Sequence, residues 1–160
     1  MTGKAAFSDE EWERVRRSPF VVGMALTIAD PGGPIEISKE GMATIRSATV
    51  PPSQEELLAA VALDIQTLMQ QKHNPAKDFK PTSAPTAAAE IIDELRAVDA
   101  IVAAKATPEE TEAFRNWLIV TAQAAADAAK EGGFMGFGAE RVSAGEQAML
   151  DQIRGALGQG

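Results

Sequence analysis

Asp127-Ala-Ala-Lys-Glu-Gly-Gly-Phe-Met-Gly-Phe-Gly-Ala-Glu-Arg-Val-Ser-Ala-Gly-Glu146 ends one helix and opens the next. Upstream of it Phe114, Trp117, Leu118, Thr121, Ala124, Ala125 and Ala128 recur at the three- and four-residue intervals of a single buried helical face. Gly132-Gly133 stops that helix, because glycine adopts the left-handed backbone that closes a final turn. At the far end the Ser143 hydroxyl can accept from the Glu146 amide while the Glu146 carboxylate reaches back. This capping box opens a last helix on Met149, Leu150, Ile153 and Leu157, with Gly158 at its end.

The same start signal recurs at Ser8 with Glu11, where Phe7 can staple onto Trp12, at Ser53 with Glu56, and at Thr107 with Glu110. Each heads an apolar run of helical period. The agreement of cap and period at four places predicts an all-α fold, a single-domain bundle of six to seven helices over residues 1–160. Residues 1–6 are read as an N-terminal tail and residues 73–85, with three prolines, as an internal loop.

Helix one carries Trp12, Val15, Pro19, Val22 and Leu26 on one face, and Pro19 predicts a kink or short break at Arg17-Ser18. Asp30-Pro31-Gly32-Gly33-Pro34 ends it. Ile35 to Ser38 reads as extended, with Ser38 capping a short second helix through Arg46, and Thr49-Val50-Pro51-Pro52 breaks the chain again. Helix three runs to about Lys72, helix four spans about Thr86 to Lys105, and helix five reaches about Lys130. The alanine-rich second half of helix five allows a neighbour to approach closely. Arg14, Arg16 and Arg17 stand at helical distance from Glu10, Glu11 and Glu13 and are expected to be compensated locally on a solvated face. Trp12 and Trp117 fall at core spacing.

Composition narrows the function classes. Acidic residues outnumber basic ones by 23 to 15, a formal charge of −8 that opposes phosphate binding and argues against nucleic acid. The absence of cysteine excludes disulfides, thiolate metal sites and thiol nucleophiles. No apolar run approaches the ~18–20 residues of a membrane span, and Met1 to Phe7 is too short for a signal peptide, so a cytoplasmic protein is expected. His73, in the proline-bearing loop, is the sole histidine and is not set beside a nucleophile. No Glu-x-x-His pair exists for a carboxylate-bridged di-iron site. The Gly132 to Gly138 run follows a helix and offers acids, unlike a phosphate-cradling loop.

Two loops gather carboxylates. Hard cations such as calcium take about six to eight oxygens from carboxylates, carbonyls and water. Asp30, Glu36 and Glu40 around Gly32-Gly33 form one candidate set, and Asp127, Glu131, Glu140 and Glu146 a second. Neither shows the alternating Asp-x-Asp-x-Asp-Gly pattern. The plain alternative makes Glu146 a cap, leaves Glu36 and Glu140 solvated and lets Asp30 satisfy nearby amides. Phe134, Met135 and Phe137 either fold back to plug one end of the bundle or form an apolar tip for a protein partner, a second copy of this chain included.

Laid on Thr107 without gaps, the segment from Ser8 repeats Glu10, Glu11, Glu13, Arg16, Val21, Ala25 and Gly33 as identities, the trace that a duplicated helix-loop-helix would leave. Ala25-Leu-Thr-Ile-Ala-Asp30-Pro-Gly-Gly-Pro-Ile-Glu36-Ile-Ser-Lys-Glu40 and its later counterpart, from Ala124-Ala-Ala-Asp127 to Glu146 and on through Ile153 to Gly158, carry a resemblance. The arrangement resembles the tellurite-resistance TerB-like domain, an all-helical family whose halves each hold an alanine-rich helix, an acidic Asp-Gly loop and a following helix marked by glutamate. The likeness covers roughly the first and last thirds of the chain. It departs from the pattern where Pro31 follows Asp30 and where Glu131-Gly132 and the Phe-Met-Gly-Phe-Gly insertion stand in the second loop. The resemblance implies divalent-cation binding and a scaffold-like role beside partner proteins. The expected function is therefore that of a non-enzymatic, acidic helical interaction or accessory protein, with a carrier of a small apolar ligand, or an enzyme of unrecognised type, as the alternatives.

Overall fold

The Glu11 amide donates to the Ser8 hydroxyl at 3.1 Å and the Ser8 amide to the Glu11 carboxylate at 2.9 Å, so the first helix begins where its capping box puts it. A computed structural model describes residues 2–30, 33–130 and 142–158 of the chain, with the backbone alone for residues 129 and 130. Among these residues the chain forms α1 (Asp9–Ala29), α2 (Pro34–Thr49), α3 (Glu56–Gln70), α4 (Ala87–Lys105), α5 (Pro108–Lys130) and α6 (Ala144–Ala156). Short 3-10 turns occur at Lys4–Ala6 and Ala84–Thr86, and no strand is present among the described residues. The fold is all-α.

The core is continuous. α1 lies against each of the other five helices, while α2 packs along α5 and α6 closes the far side against α1 and α4. Trp12, Trp117, Phe114, Leu26, Leu57, Ile91 and Leu150 are buried at its centre. Each indole finds a partner for its N–H: Trp12 donates to Asp64 at 2.7 Å and Trp117 to the Ser47 carbonyl at 2.8 Å. The small residues of α5 follow their expected spacing in part: Thr121 and Ala125 are buried, whereas Ala124 and Ala128 are half-buried and Ala122 and Ala126 are buried instead. α5 packs along α2, where the Thr121 hydroxyl bonds the Ser47 hydroxyl at 2.7 Å.

Four sequence expectations change. α1 runs unbroken through Pro19, so of the kink or short break expected at Arg17-Ser18 the break does not occur, and the Ser18 hydroxyl donates to the Val15 carbonyl at 2.7 Å in that turn. α2 is not a short helix capped by Ser38. It begins at Pro34, whose fixed φ and missing N–H suit a first helical position, so Ile35 to Ser38 are helical and the helix continues to Thr49. The Ser53 box does not form, for α3 starts at Glu56 behind Glu55 and the Ser53 hydroxyl has no hydrogen-bond partner among the described residues. The end of α3 at Gln70 agrees with the expected end at about Lys72.

The fourth correction concerns charge. Arg14 and Arg17 do not depend on their own helix: both reach Glu94 on α4, Arg14 in a two-pronged contact at 2.6 and 3.2 Å and Arg17 at 3.2 Å. Arg16 pairs with Asp64 on α3 at 3.0 Å. Burial acts to raise the Asp64 carboxyl. The Trp12 indole, the Arg16 guanidinium and the Lys4 ammonium together outweigh it and hold the group below its ordinary value. These residues are bolts between helices because the chain turns their faces inward, a fact that helical spacing alone does not carry.

The 73–85 loop is a loop, as read. Phe79 packs on the core with the Arg17 guanidinium 5.5 Å from its ring, and Thr82 donates from amide and hydroxyl to Glu90.

Candidate binding groove

α3 travels beside α1 in the same direction. Gly3 lies near Glu56, and farther along Trp12 and Arg16 both meet Asp64. α2 runs the opposite way against α1, with Thr44 at Gly23 and Glu40 at Thr27. α3 stops near Phe20, whereas α1 goes on to Ala29, about 14 Å farther at a rise of about 1.5 Å per residue. Past the end of α3, α1 and α2 therefore flank an open groove of about 520 Å³.

The walls are apolar and the floor is polar. α1 contributes Phe20, Gly23, Met24 and Thr27; α2 contributes Ile37, Glu40, Gly41, Thr44 and Ile45. Met69 closes the end nearest α3, with Lys72 to Ala76 as a rim. Gly23 is needed for depth, since a Cβ there would fall 2.5 Å from the Thr44 hydroxyl oxygen. Glu40 is only 2 % exposed and accepts from the Thr27 hydroxyl at 2.6 Å. Thr44 donates to the Glu40 carbonyl at 2.8 Å, which keeps its own hydroxyl satisfied.

α2 is amphipathic in the reverse sense. Its buried residues are Glu40, Thr44 and Ala48, small or polar and four apart, wedged between α1 and α5. Its solvent side holds Ile35 (68 % exposed), Met42 (60 %), Ile37 and Ile45. Helices of soluble domains ordinarily turn such residues inward, so an exposed apolar strip continuous with a groove is the feature of this surface that packing does not account for.

At the rim, Lys72 has φ +61°, the one non-glycine residue with positive φ among those described. The His73 amide bonds the Leu68 carbonyl at 2.9 Å and the Lys72 amide bonds Met69 at 3.0 Å, a Schellman closure of α3 with lysine where glycine is usual.

The residues singled out from sequence lie on several helices. Asp30 caps the C-terminus of α1 and Glu36 sits in the first turn of α2. Asp127 is exposed on α5 and accepts from Gln123 at 2.9 Å, and Glu146 completes the capping box of α6. α6 starts against the end of α1, where a Cβ on Gly145 would lie 2.8 Å from the Ala29 carbonyl oxygen, so Asp30 and Glu146 belong to the same end of the bundle. Among the described residues no three acidic or histidine side chains come together as a metal site would need. Glu131, Glu140, Phe134, Met135 and Phe137 lie outside the described residues.

No family model, no curated protein and no solved structure matches the chain. The groove has to be read from its own chemistry. No helix among the described residues is long and apolar enough to cross a membrane. The groove residues Gly23, Met24, Thr27, Thr44 and Lys72 were not singled out from sequence. The one hint in the sequence was that Glu40 and Thr44, four residues apart, share a helical face with small Ala48.

Proposed function

We propose that the protein is a non-enzymatic interaction module that receives an apolar helix of a partner protein on the α1–α2 groove and the outer edge of α2. The observation that carries this reading is the reversed amphipathicity of α2. Ile35, Ile37, Met42 and Ile45 remain in water while a glutamate is buried beneath them. A slot between two helices, opened where a third stops, has the shape and spacing of a helix site. Met24, Met42 and Met69 add side chains that adapt to an incoming surface.

A carrier of a small apolar ligand is the second reading, favoured by the groove's volume, which falls within the ~300–1,000 Å³ range of small-molecule sites. The extension of the exposed strip to Ile35 and Met42, beyond the groove's lining, favours the larger partner. The TerB-like resemblance is compatible with a scaffold role, and its cation is a separate proposal that the groove does not require.

The test uses the neutral dye N-phenyl-1-naphthylamine with the wild-type protein and Ile45→Glu, a half-exposed site where a carboxylate is tolerated by the fold. Saturable fluorescence in the wild type, lost in the variant at an unchanged melting temperature, supports the apolar site. A dye that stays dark with the wild type sinks it.

A further inference from the structure

Resting on the groove as the binding site, we propose that its occupant is an amphipathic helix with acidic flanks, about two and a half turns long, whose carboxylates meet Lys72 and His73 while its apolar side chains lie between Phe20, Met24, Ile37 and Ile45. Two independent features point to this charge.

The first is complementarity. In a chain of net charge −8, the described residues of the groove lining include a single carboxylate, and that one, Glu40, is buried and accepts from Thr27. The solvent-facing ionisable groups of the lining are Lys72 and His73, both exposed at its rim. Among the described lining residues a basic flank would meet no exposed acid, whereas an acidic flank meets the Lys72 ammonium. The overall negative charge acts in the other direction, yet it is spread over the surface and screened beyond about 8 Å at physiological salt, so the groups in contact decide.

The second is Lys72 itself. The closing position of α3 requires a left-handed backbone, which glycine takes without strain and lysine does not. The lysine side chain is held at the rim against the local backbone preference. Strained residues of this kind cluster at binding sites, and this one lies on the rim of a concave apolar groove.

The experiment measures anisotropy of two labelled, end-blocked peptides of about 14 residues, with the same leucines and methionines at helical spacing but glutamate flanks in one and lysine flanks in the other. With the wild type at about 0.15 M salt, the glutamate peptide is expected to bind on the order of fivefold tighter, and the gap is expected to shrink at about 1 M salt. Lys72→Gly relieves the strained position, so it stays folded, and in it the preference is expected to vanish while apolar binding persists. Equal binding of both peptides, or a preference unchanged in Lys72→Gly, overturns the acidic assignment and leaves the groove reading standing. If neither peptide binds while the neutral dye does, the helix is replaced by a small apolar ligand. If peptides and dye all fail, the proposed function falls with it.

Discussion

Gly23 and Thr44 fix how closely α1 and α2 cross, for a Cβ on residue 23 would lie 2.5 Å from the Thr44 hydroxyl oxygen and 2.9 Å from its methyl group. Thr44 is buried and bonded to the Glu40 carbonyl, so it has little room to yield. Gly23→Ala is therefore expected to destabilise by about 1–3 kcal/mol, the usual range for an overpacked core. Denaturant unfolding checks this, and adding Thr44→Ala should recover much of the loss. Independent, additive effects of the two substitutions would contradict the contact.

Glu94 joins α4 to α1 through two guanidiniums. It is 8 % exposed, with Arg14 and Arg17 less buried than it is. Removing one member of a buried pair costs roughly 3–5 kcal/mol, and partial solvent access to the arginines reduces that, so Glu94→Ala is expected to cost about 1–3 kcal/mol. Exposed Asp93→Ala on the same helix, paired with Arg96 at 3.6 Å, should change stability by less than about 0.5 kcal/mol. Comparable losses in the two variants would refute the assignment.

Asp64 gives the fold an acid limit. Its carboxyl is depressed in the folded chain, so the folded state binds its proton less readily than the unfolded state does. The stabilisation is fully present above the unfolded value of about 3.9 and is lost as pH falls through the lower folded value. Melting temperature should decline as pH drops below about 4, with a shallower decline in Asp64→Asn, read by calorimetry across that window. An unchanged slope in the variant would assign the acid response to other carboxyls.

Lys72→Gly should stabilise the protein. The left-handed conformation costs a non-glycine residue about 1–2 kcal/mol, and the extra freedom of glycine in the unfolded chain returns part of that, leaving a net gain of up to about 1 kcal/mol. In a chain of this size that is a rise of about 2–4 °C in Tm. A lower Tm would show that the lysine side chain itself supports the closure of α3.

The TerB-like reading makes its own prediction. Calcium added to metal-stripped protein should raise Tm by linkage, and Asp30→Ala should abolish the rise. A flat calorimetric titration would remove the cation from that reading and leave the groove untouched.

The sequence determined the helices, and it did so through local chemistry. Ser8 and Ser143 form the boxes their spacing announces, because a hydroxyl and a carboxylate three residues apart need no other part of the chain to find one another. The same locality explains the 73–85 loop and the burial of both tryptophans. Ser53 and Ser38 had comparable signals and lost, because Pro34 started α2 a turn earlier and α3 began behind Glu55. What the tertiary structure alone decided is which face each helix turns inward. α2 buries Thr44 and Ala48 because close passage beside Gly23 and α5 admits small side chains, Glu40 because the Thr27 hydroxyl meets its carboxylate, and Arg14 became a partner of Glu94 because α4 came to lie across it. The groove follows from the same relation, since it exists where α3 stops and its neighbours continue, and no single segment of sequence contains that difference in length.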